Sequence, residues 1–324
     1  MLNKTNNGYY DTLVYLYENK KKNNYTCNDI ANIMNEKFSL NNGESKYRKE
    51  WNAFNAGRIY EKEYRQKNVY KKILSISDLH IPFNLSLDYL KKYSNNIDVL
   101  ILNGDIIDHQ GISKFSKSYR ISPIEDMIAC RRVIIQLIEM LSPKEVYINY
   151  GNHEKRFSSY LNKNIDCEII ELMPDTALDL ICTDGFYHYD KKDRSKIWYE
   201  PIENMFDGIN VEYTHDWKFK YGKTWFAHPI AYSSSPLKTC EKAMHYFQSI
   251  DNEGFDAVVL AHTHRTGDTK EGNIILYEQG AFCKTEEMGY ADGRLTIPQQ
   301  KGFVVICQDK DGNIIYNQSK RIII

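Results

Sequence analysis

Five short stretches of the chain set Asp, His or Asn directly after apolar runs: SISDLHIPF, NGDIIDHQG, NYGNHEKRF, WFAHP and VLAHTHRTG. They supply Asp78 and His80, Asp105 and Asp108, Asn152 and His153, His228, and His262 and His264. On an extended chain residues i and i+2 face the same side, so Asp78 and His80 are expected to aim at one point. A salt bridge, an acid–base pair or two metal ligands would each fit that pair. Singly, every cluster has a plain structural explanation. A histidine after a strand can be a hydrogen-bonded core group, Gly104 and Gly151 can be turn glycines, and Asp108 can cap a helix. Together, that explanation leaves polar side chains converging at buried strand ends without a partner, which is costly. A pair of metal ions removes the cost. Carboxylate oxygen, amide oxygen and neutral imidazole suit Mn²⁺, Fe²⁺ or Zn²⁺, and two ions about 3.5–4 Å apart need a bridging carboxylate and ligands for both.

The elements that must position these groups alternate. Apolar runs at Lys72–Ser77, Val99–Leu102, Val146–Asn149, Thr224–Ala227 and Ala257–Leu260 read as buried strands, with an amphipathic helix over Ile124–Leu141. In such α/β sheets ligands bind beyond the carboxyl ends of the strands, where all five clusters fall. Later runs at Ile274–Tyr277, Gly302–Cys307 and Asn313–Tyr316 read as strands joined by tight turns, among them Asp311-Gly312. Before Tyr70 the pattern is helical: one helix over Asp11–Lys20, a second begun by Thr26 as N-cap, and a third over Glu44–Lys67 with Trp51, Phe54, Ile59 and Tyr60 partly facing a core. The expected domains are therefore 1–70, a small all-α unit like a helix-turn-helix, and 71–324. The unit 1–70 either binds DNA or caps the larger domain.

Composition bounds the rest. At 42% hydrophobic and 26% charged residues, the 324-residue chain is an ordinary globular protein. No apolar run approaches the roughly 18 residues that span a bilayer, and MLNKTNNGYY carries no signal-peptide core. Seven scattered cysteines without a CxxC pair point to reduced thiols and a cytoplasmic location. The net charge of −1 is unevenly placed: residues 1–72 hold 14 Lys+Arg against 8 Asp+Glu. A basic head on an acidic body fits a polyanionic partner, and also fits a solvated surface.

The series DLH, GDIID, GNHE, a lone His and HTH resembles the calcineurin-like metallophosphoesterase superfamily, whose pattern is D-x-H, G-D-x-x-D, G-N-H-[DE], H and G-H-x-H in this order. The resemblance covers about Ile73 to Gly280. Ala261 stands where the family has Gly, adding a methyl but removing no ligand. The fold this implies is a four-layer αββα metallophosphoesterase sandwich. One metal would take Asp78, His80, Asp105 and His264, and the other Asp105, Asn152, His228 and His262, with Asp105 as the bridge. Mn²⁺ is favoured, and Fe and Zn also fit. His153 would protonate the leaving oxygen, with Asp108 holding its ring. The reaction implied is hydrolysis of a phosphoester by an activated water, with no covalent intermediate.

Substrate is harder to read. Serine/threonine phosphatases of the superfamily have G-D-x-x-D-R-G, whereas His109 and Gln110 follow Asp108 here. That argues against a dedicated phosphoprotein phosphatase and leaves His109, Arg156 and Arg265 as candidate substrate-binding residues; either arginine could equally lie on the surface. The insert 157–222 is rich in aromatics, which could stack nucleobases or form a local core. Basic head, missing arginine and aromatic insert lean together toward a phosphodiesterase or nuclease acting on nucleic acid. The wording GDIIDHQGISKF and GNHEKRF is similar to phage-encoded or prophage metallophosphoesterases, which would place the chain in a host cytoplasm. The alternatives are a phosphomonoesterase on a nucleotide or phosphoprotein, and a non-enzymatic DNA-binding regulator. No membrane partner is expected, and oligomeric state is not legible.

Overall fold

The computed structural model describes residues 8–67, 71–114, 121–287 and 299–324, without side chains for 59–67 and 285. The chain divides into two compact units, Met1–Val69 and Tyr70–Ile324.

In the first unit the helices are α1 (Tyr9–Glu18), α2 (Cys27–Phe38) and α3 (Glu44–Lys67). Leu13 and Leu16, Ile30, Ala31 and Met34, and Tyr47 bring one face of each into a common core. Thr26 starts α2 as the spacing predicts. Its hydroxyl accepts the Asp29 N–H at 3.1 Å while the Asp29 carboxylate accepts the Thr26 N–H at 2.7 Å, a reciprocal capping box. The turn into α3 is tied by Asn35, whose amide donates to the Asn42 carbonyl at 2.9 Å and whose oxygen accepts from the Asn42 N–H and the Tyr47 hydroxyl. Trp51 stacks on Tyr17. The Ile59 and Tyr60 side chains and the boundary residue Tyr70 lie outside the described residues.

The second unit is a sandwich of two sheets with helices outside. Its strands are β1 (Lys71–Ile76), β2 (Val99–Asn103), β3 (Glu145–Asn149), β4 (Phe186–Tyr189), β5 (Lys196–Tyr199), β6 (Asn210–Tyr213), β7 (Lys218–Tyr221), β8 (Thr224–Ala227), β9 (Ala257–Leu260), β10 (Thr266–Glu271), β11 (Ile274–Gln279), β12 (Gly302–Gln308) and β13 (Lys320–Ile323). One sheet has the order β13-β12-β1-β2-β3-β6 and the other β10-β11-β9-β8-β7, while β4 and β5 form a separate hairpin. The central pairs β1–β2–β3–β6 and β8–β9–β11 are parallel. Parallel strands are covered on both faces, which is why β2 and β9, at the centres of their sheets, are buried at every position. Alternation then sorts the residues between two cores. Ile73, Val99, Ile101, Val259 and Ile306 fill the space between the sheets. Leu74, Ile76, Leu100 and Leu102 face outward onto α4 (Pro123–Leu141), meeting Met127, Cys130, Ile134 and Leu137. On the other outer face, Val258 and Leu260 meet Cys240, Met244 and Phe247 of the helix Lys238–Ile250. Each such aliphatic side chain contributes about 1.5–3 kcal/mol by leaving water.

Two expectations change. The stretch 157–222 does not keep to itself: β6 extends the first sheet, β7 edges the second, and Ile181, Phe186, Ile202 and Tyr213 join the core beneath α4. The expected strand Asn313–Tyr316 is a turn instead. Asp309 accepts from the Asp311 and Asn313 N–H groups and from the Asn313 amide, curling the chain, and Ile314 makes only a lone bridge to Gln308. The last strand is β13, paired with Gly302–Val305 at the other end of β12.

Asp126, in the first turn of α4, is fully buried, and neither carboxylate oxygen has a hydrogen-bond partner among the described residues. Burial, helped by the charges of Asp108 and Glu125, pushes its pKa up to about 7. The unfolded value is about 3.9. Between these limits the folded state holds a proton that the unfolded chain has released. The stabilisation is complete below about pH 4, falls through the window and is gone above about pH 7. Asp126→Asn is therefore expected to melt ever higher above wild type as pH rises from 4 to 8. The gap should reach several degrees, at about 2–4 °C per kcal/mol for a protein of this size. A gap that stays constant with pH would exclude the effect.

Candidate metal centre

The first strand end corrects the reason given for its chemistry. Asp78 and His80 lie beyond β1 and are not extended; their φ angles are +51° and +45°. Asp105, His262 and His264 also have left-handed backbones, at +49°, +77° and +51°. For side chains other than glycine this conformation costs roughly 1–3 kcal/mol each, and it concentrates at sites that need side chains re-aimed. These turns, rather than strand alternation, make the groups converge.

They converge into three interlocking sets. Asp78, His80 and His264 form one, Asp105, His228 and His262 a second, and His80, Asp108 and His153 a third, the donor atoms of each lying within 4.8 Å of one another. In the first, His264 Nε2 is 3.1 Å from both His80 Nε2 and Asp78 Oδ1. In the second, His228 Nε2 is 3.3 Å from Asp105 Oδ2. Asp105 Oδ2 also lies 3.9 Å from His80 Nε2, between the two sets. Ligands about 2.1 Å from a common cation stand about 3.0–3.4 Å apart, so the 3.1 and 3.3 Å spacings suit the edges of a coordination shell. Asp78 Oδ1, Asn152 Oδ1 and His228 Nε2 are buried without a hydrogen-bond partner among the described residues. Unsatisfied buried acceptors of this kind call for a cation. The clusters suit one or two divalent metal ions.

Surrounding groups fix which atoms face inward. The Asn103 carbonyl accepts from His228 Nδ1 at 2.9 Å, leaving Nε2 with its lone pair toward Asp105. Asp78 Oδ2 accepts from the Ser77 hydroxyl and the His262 N–H, which leaves Oδ1 facing His264 and the cluster. Gly151 is required by close approach: a Cβ there would sit 2.2 Å from Asp105 Oδ1. Gly104, at φ +75°, has no room either, since its Cβ would meet the His228 ring at 2.5 Å.

The third set reads as a hydrogen-bonded relay. Arg156 Nη2 donates to His153 Nε2 at 2.7 Å, and a guanidinium cannot accept, so the neutral ring carries its proton on Nδ1. That Nδ1 donates to Asp108 Oδ1 at 2.9 Å, and His80 Nδ1 lies 3.4 Å from the same oxygen. Asp108 thus fixes two rings at once. Burial opposes its ionisation, but the bonds from His153 and His80 outweigh burial and hold it far below the ordinary carboxylate range. Asp78 and Asp105 are likewise held low against their burial, Asp78 by His264 and His228, Asp105 by His153 and His228. The two carboxylates in turn outweigh burial at His228, pushing it up to about 10, and raise His264. Burial and the charge of His153 bring His80 down to about 4, and burial with His228 does the same for His262. Two buried anions are recruiting positive charge, and divalent cations compete for the same lone pairs as these protons.

Two candidate substrate residues are buried. His109 is fully buried against Phe157, and its two nitrogens lack partners among the described residues. Arg265 is 3% exposed and already spent on the Ser233 carbonyl and the Tyr232 hydroxyl, anchoring the loop after β8. Among the described residues, Arg156 is the arginine that reaches the centre, on His153 and Asp108.

Three positioning residues were not read from the sequence. Glu154 is fully buried, and its carboxylate accepts the N–H groups of Asp105, Ile106, Ile107 and Gly151 at 2.7–3.1 Å, binding the second and third loops together. Its signal was present as the acid ending GNHE. Asn103 and Asn149 end β2 and β3. The Asn149 amide donates to Asn103 at 2.9 Å and to the Trp217 carbonyl at 3.1 Å, and the Asn103 amide reaches toward Ala227 and Val259 of the facing sheet.

The calcineurin-like phosphoesterase model matches residues 71–266, and the model of the YonJ N-terminal domain matches residues 2–67. No curated protein matches the chain. Among solved structures, it is similar to Vacuolar Protein Sorting 29 from Cryptosporidium parvum at 14% identity, over 79% of this chain and 98% of that one, with a TM-score of 0.36. Vps29 complexed with zinc, from Entamoeba histolytica, is 14% identical over 78% of this chain and 98% of that one, TM-score 0.34. An archaeal phosphodiesterase is 14% identical over 78% of this chain and 99% of that one, TM-score 0.30. Because the family match spans more than half of the 324 residues and contains every cluster described above, the protein belongs to the calcineurin-like phosphoesterases.

Proposed function

We propose that the protein is a dinuclear-metal phosphodiesterase acting on nucleic acid. The observation that carries the reading is two His–carboxylate clusters meeting at Asp105, with His153 beside them on Asp108 and Arg156. In this reading Asp78, His80, Asp105 and His264 hold one ion, and Asp105, Asn152, His228 and His262 hold the other. Mn²⁺ is the favoured metal for this oxygen- and nitrogen-rich set. When bound, the pair supplies Lewis-acid polarisation of the phosphoryl group and an activated water. The chain's own residues do the remainder. Arg156 turns from His153 Nε2 to a phosphate oxygen and so releases that nitrogen. His153, then protonated on Nε2 and braced by Asp108 through Nδ1, delivers a proton to the leaving oxygen.

Support for a nucleic-acid diester comes from chemistry around the centre. Among the described residues Arg156 is the arginine beside it, His109 standing where phosphoprotein phosphatases carry theirs. On α3 Lys46 and Lys49 are exposed, as a backbone-binding head requires. The test is hydrolysis of bis-p-nitrophenyl phosphate, p-nitrophenyl phosphate, and single- and double-stranded DNA and RNA, each with Mn²⁺ and with EDTA. Cleavage of the diester and of nucleic acid with Mn²⁺, lost in EDTA, is the expected result. Phosphate release from the monoester without any cutting would replace this reading by a phosphomonoesterase. Tight DNA binding with no hydrolysis would replace it by a regulator.

A further inference from the structure

A cavity of about 420 Å³ opens directly beside the second cluster and is lined by His228 of that cluster and by Gly151, which packs against Asp105. Its volume falls within the roughly 300–1,000 Å³ of pockets that enclose small ligands. The walls away from the metal ligands are unlike the centre. Tyr150, Trp217, Ile230 and Tyr246 make them aromatic and apolar, and Lys155 and Lys242 also line them. Ile230 is 76% exposed and Tyr246 44% exposed. Lys155 Nζ lies 4.2 Å from the centroid of the Tyr150 ring, and neither lysine is ion-paired to a carboxylate among the described residues. The wall is built in advance. Arg265, buried, grips the Ser233 carbonyl and the Tyr232 hydroxyl and so holds the Pro229–Ala231 segment in place. The Trp217 carbonyl is tied to Asn149, and its ring stacks on Phe247.

We propose that this cavity seats one unpaired nucleobase next to the scissile phosphate, so that the substrate is a single strand or a strand end. The inference rests on the phosphodiesterase reading and names its substrate class. A flat aromatic ligand fits walls of Tyr and Trp because every base offers a π-face to stack, whatever its sequence. Paired, stacked bases of a duplex cannot enter without being flipped out. The two lysines are placed for the neighbouring phosphates of a chain. A phosphotyrosyl peptide carries a single phosphate, which the metal centre would take, leaving both lysines unanswered.

The experiment compares Mn²⁺-loaded protein on thymidine 5′-(p-nitrophenyl phosphate) and on methyl p-nitrophenyl phosphate, which share the leaving group and differ in the base. Wild type is expected to favour the thymidine ester by about tenfold or more in kcat/KM, the size of one base–aromatic stack. Tyr246→Ala should bring that ratio toward one, and Tyr246→Phe should restore it. Tyr246 is exposed enough that its truncation leaves the fold intact, which a melting curve verifies. Hydrolysis of both esters with a ratio near one in wild type, or a ratio unmoved by Tyr246→Ala, overturns the base pocket while leaving the phosphodiesterase standing. Hydrolysis of neither removes the phosphodiesterase reading and the pocket with it. Preference for a phosphotyrosyl peptide over either ester would likewise overturn it.

Discussion

Asp105→Asn is expected to reduce hydrolysis by about 10³-fold or more and to leave less than two equivalents of metal bound. Its carboxylate has two jobs that an amide cannot share. Oδ1 accepts the His153 N–H at 2.8 Å, and Oδ2 stands 3.3 Å from His228 Nε2 and 3.9 Å from His80 Nε2. An amide can keep the first contact with its oxygen, but it then turns NH₂ toward both clusters. In the proposed centre a donor would replace a lone pair that would face the ions, and the negative charge that would hold them there would be lost. Lewis-acid stabilisation of this kind is worth several kcal/mol, and each 1.36 kcal/mol is tenfold in rate. Metal content by elemental analysis and the metal-induced rise in melting temperature give readouts that do not depend on turnover. If the variant keeps two equivalents and the full rise, Asp105 does not bridge, and the assignment of both ion sites fails.

Much of this centre is legible in the sequence, and the reason is local. The apolar runs of β1, β2 and β9 are buried on both faces, so their hydrophobicity is continuous and easy to see. The ligand residues follow those runs immediately, so their order along the chain survives as a pattern. What the pattern hides is how they are aimed. The reading from alternation put Asp78 and His80 on one side of a strand, yet both sit in left-handed turns past its end. Nothing in DLH marks that backbone. Glu154 was hidden for a different reason: its partners are four backbone N–H groups, and two of the loops it ties meet only in the folded sheet. Arg265 and His109 show a different limit. Their types suggest phosphate binding, while their burial, at 3% and 0%, comes from elements far along the chain that no local stretch reveals. The strand expected at Asn313–Tyr316 failed because Asp309, just before it, captures three N–H donors and bends the chain before pairing can extend.

His153→Asn is expected to separate substrates by their leaving groups. On an ester of an alkyl alcohol, such as a nucleic-acid linkage, the departing oxygen needs a proton. Loss of a positioned acid there should lower kcat by about 10²–10⁴-fold. On bis-p-nitrophenyl phosphate the departing phenolate is stable as an anion at neutral pH, so the loss should be about tenfold or less. Metal content should hold, because the ring contacts Asp108 and Arg156 and its backbone N–H to Asp105 survives the substitution. Asp108→Asn should behave differently. The same oxygen that braces His153 also faces His80 Nδ1, so an amide would disturb the proposed acid and a proposed metal ligand together. That variant should lose metal as well as rate, and should lose rate on both esters. Equal losses for His153→Asn on the two leaving groups would mean the ring shapes the site rather than delivering a proton. Unchanged metal in Asp108→Asn would mean that His80 keeps its orientation without it.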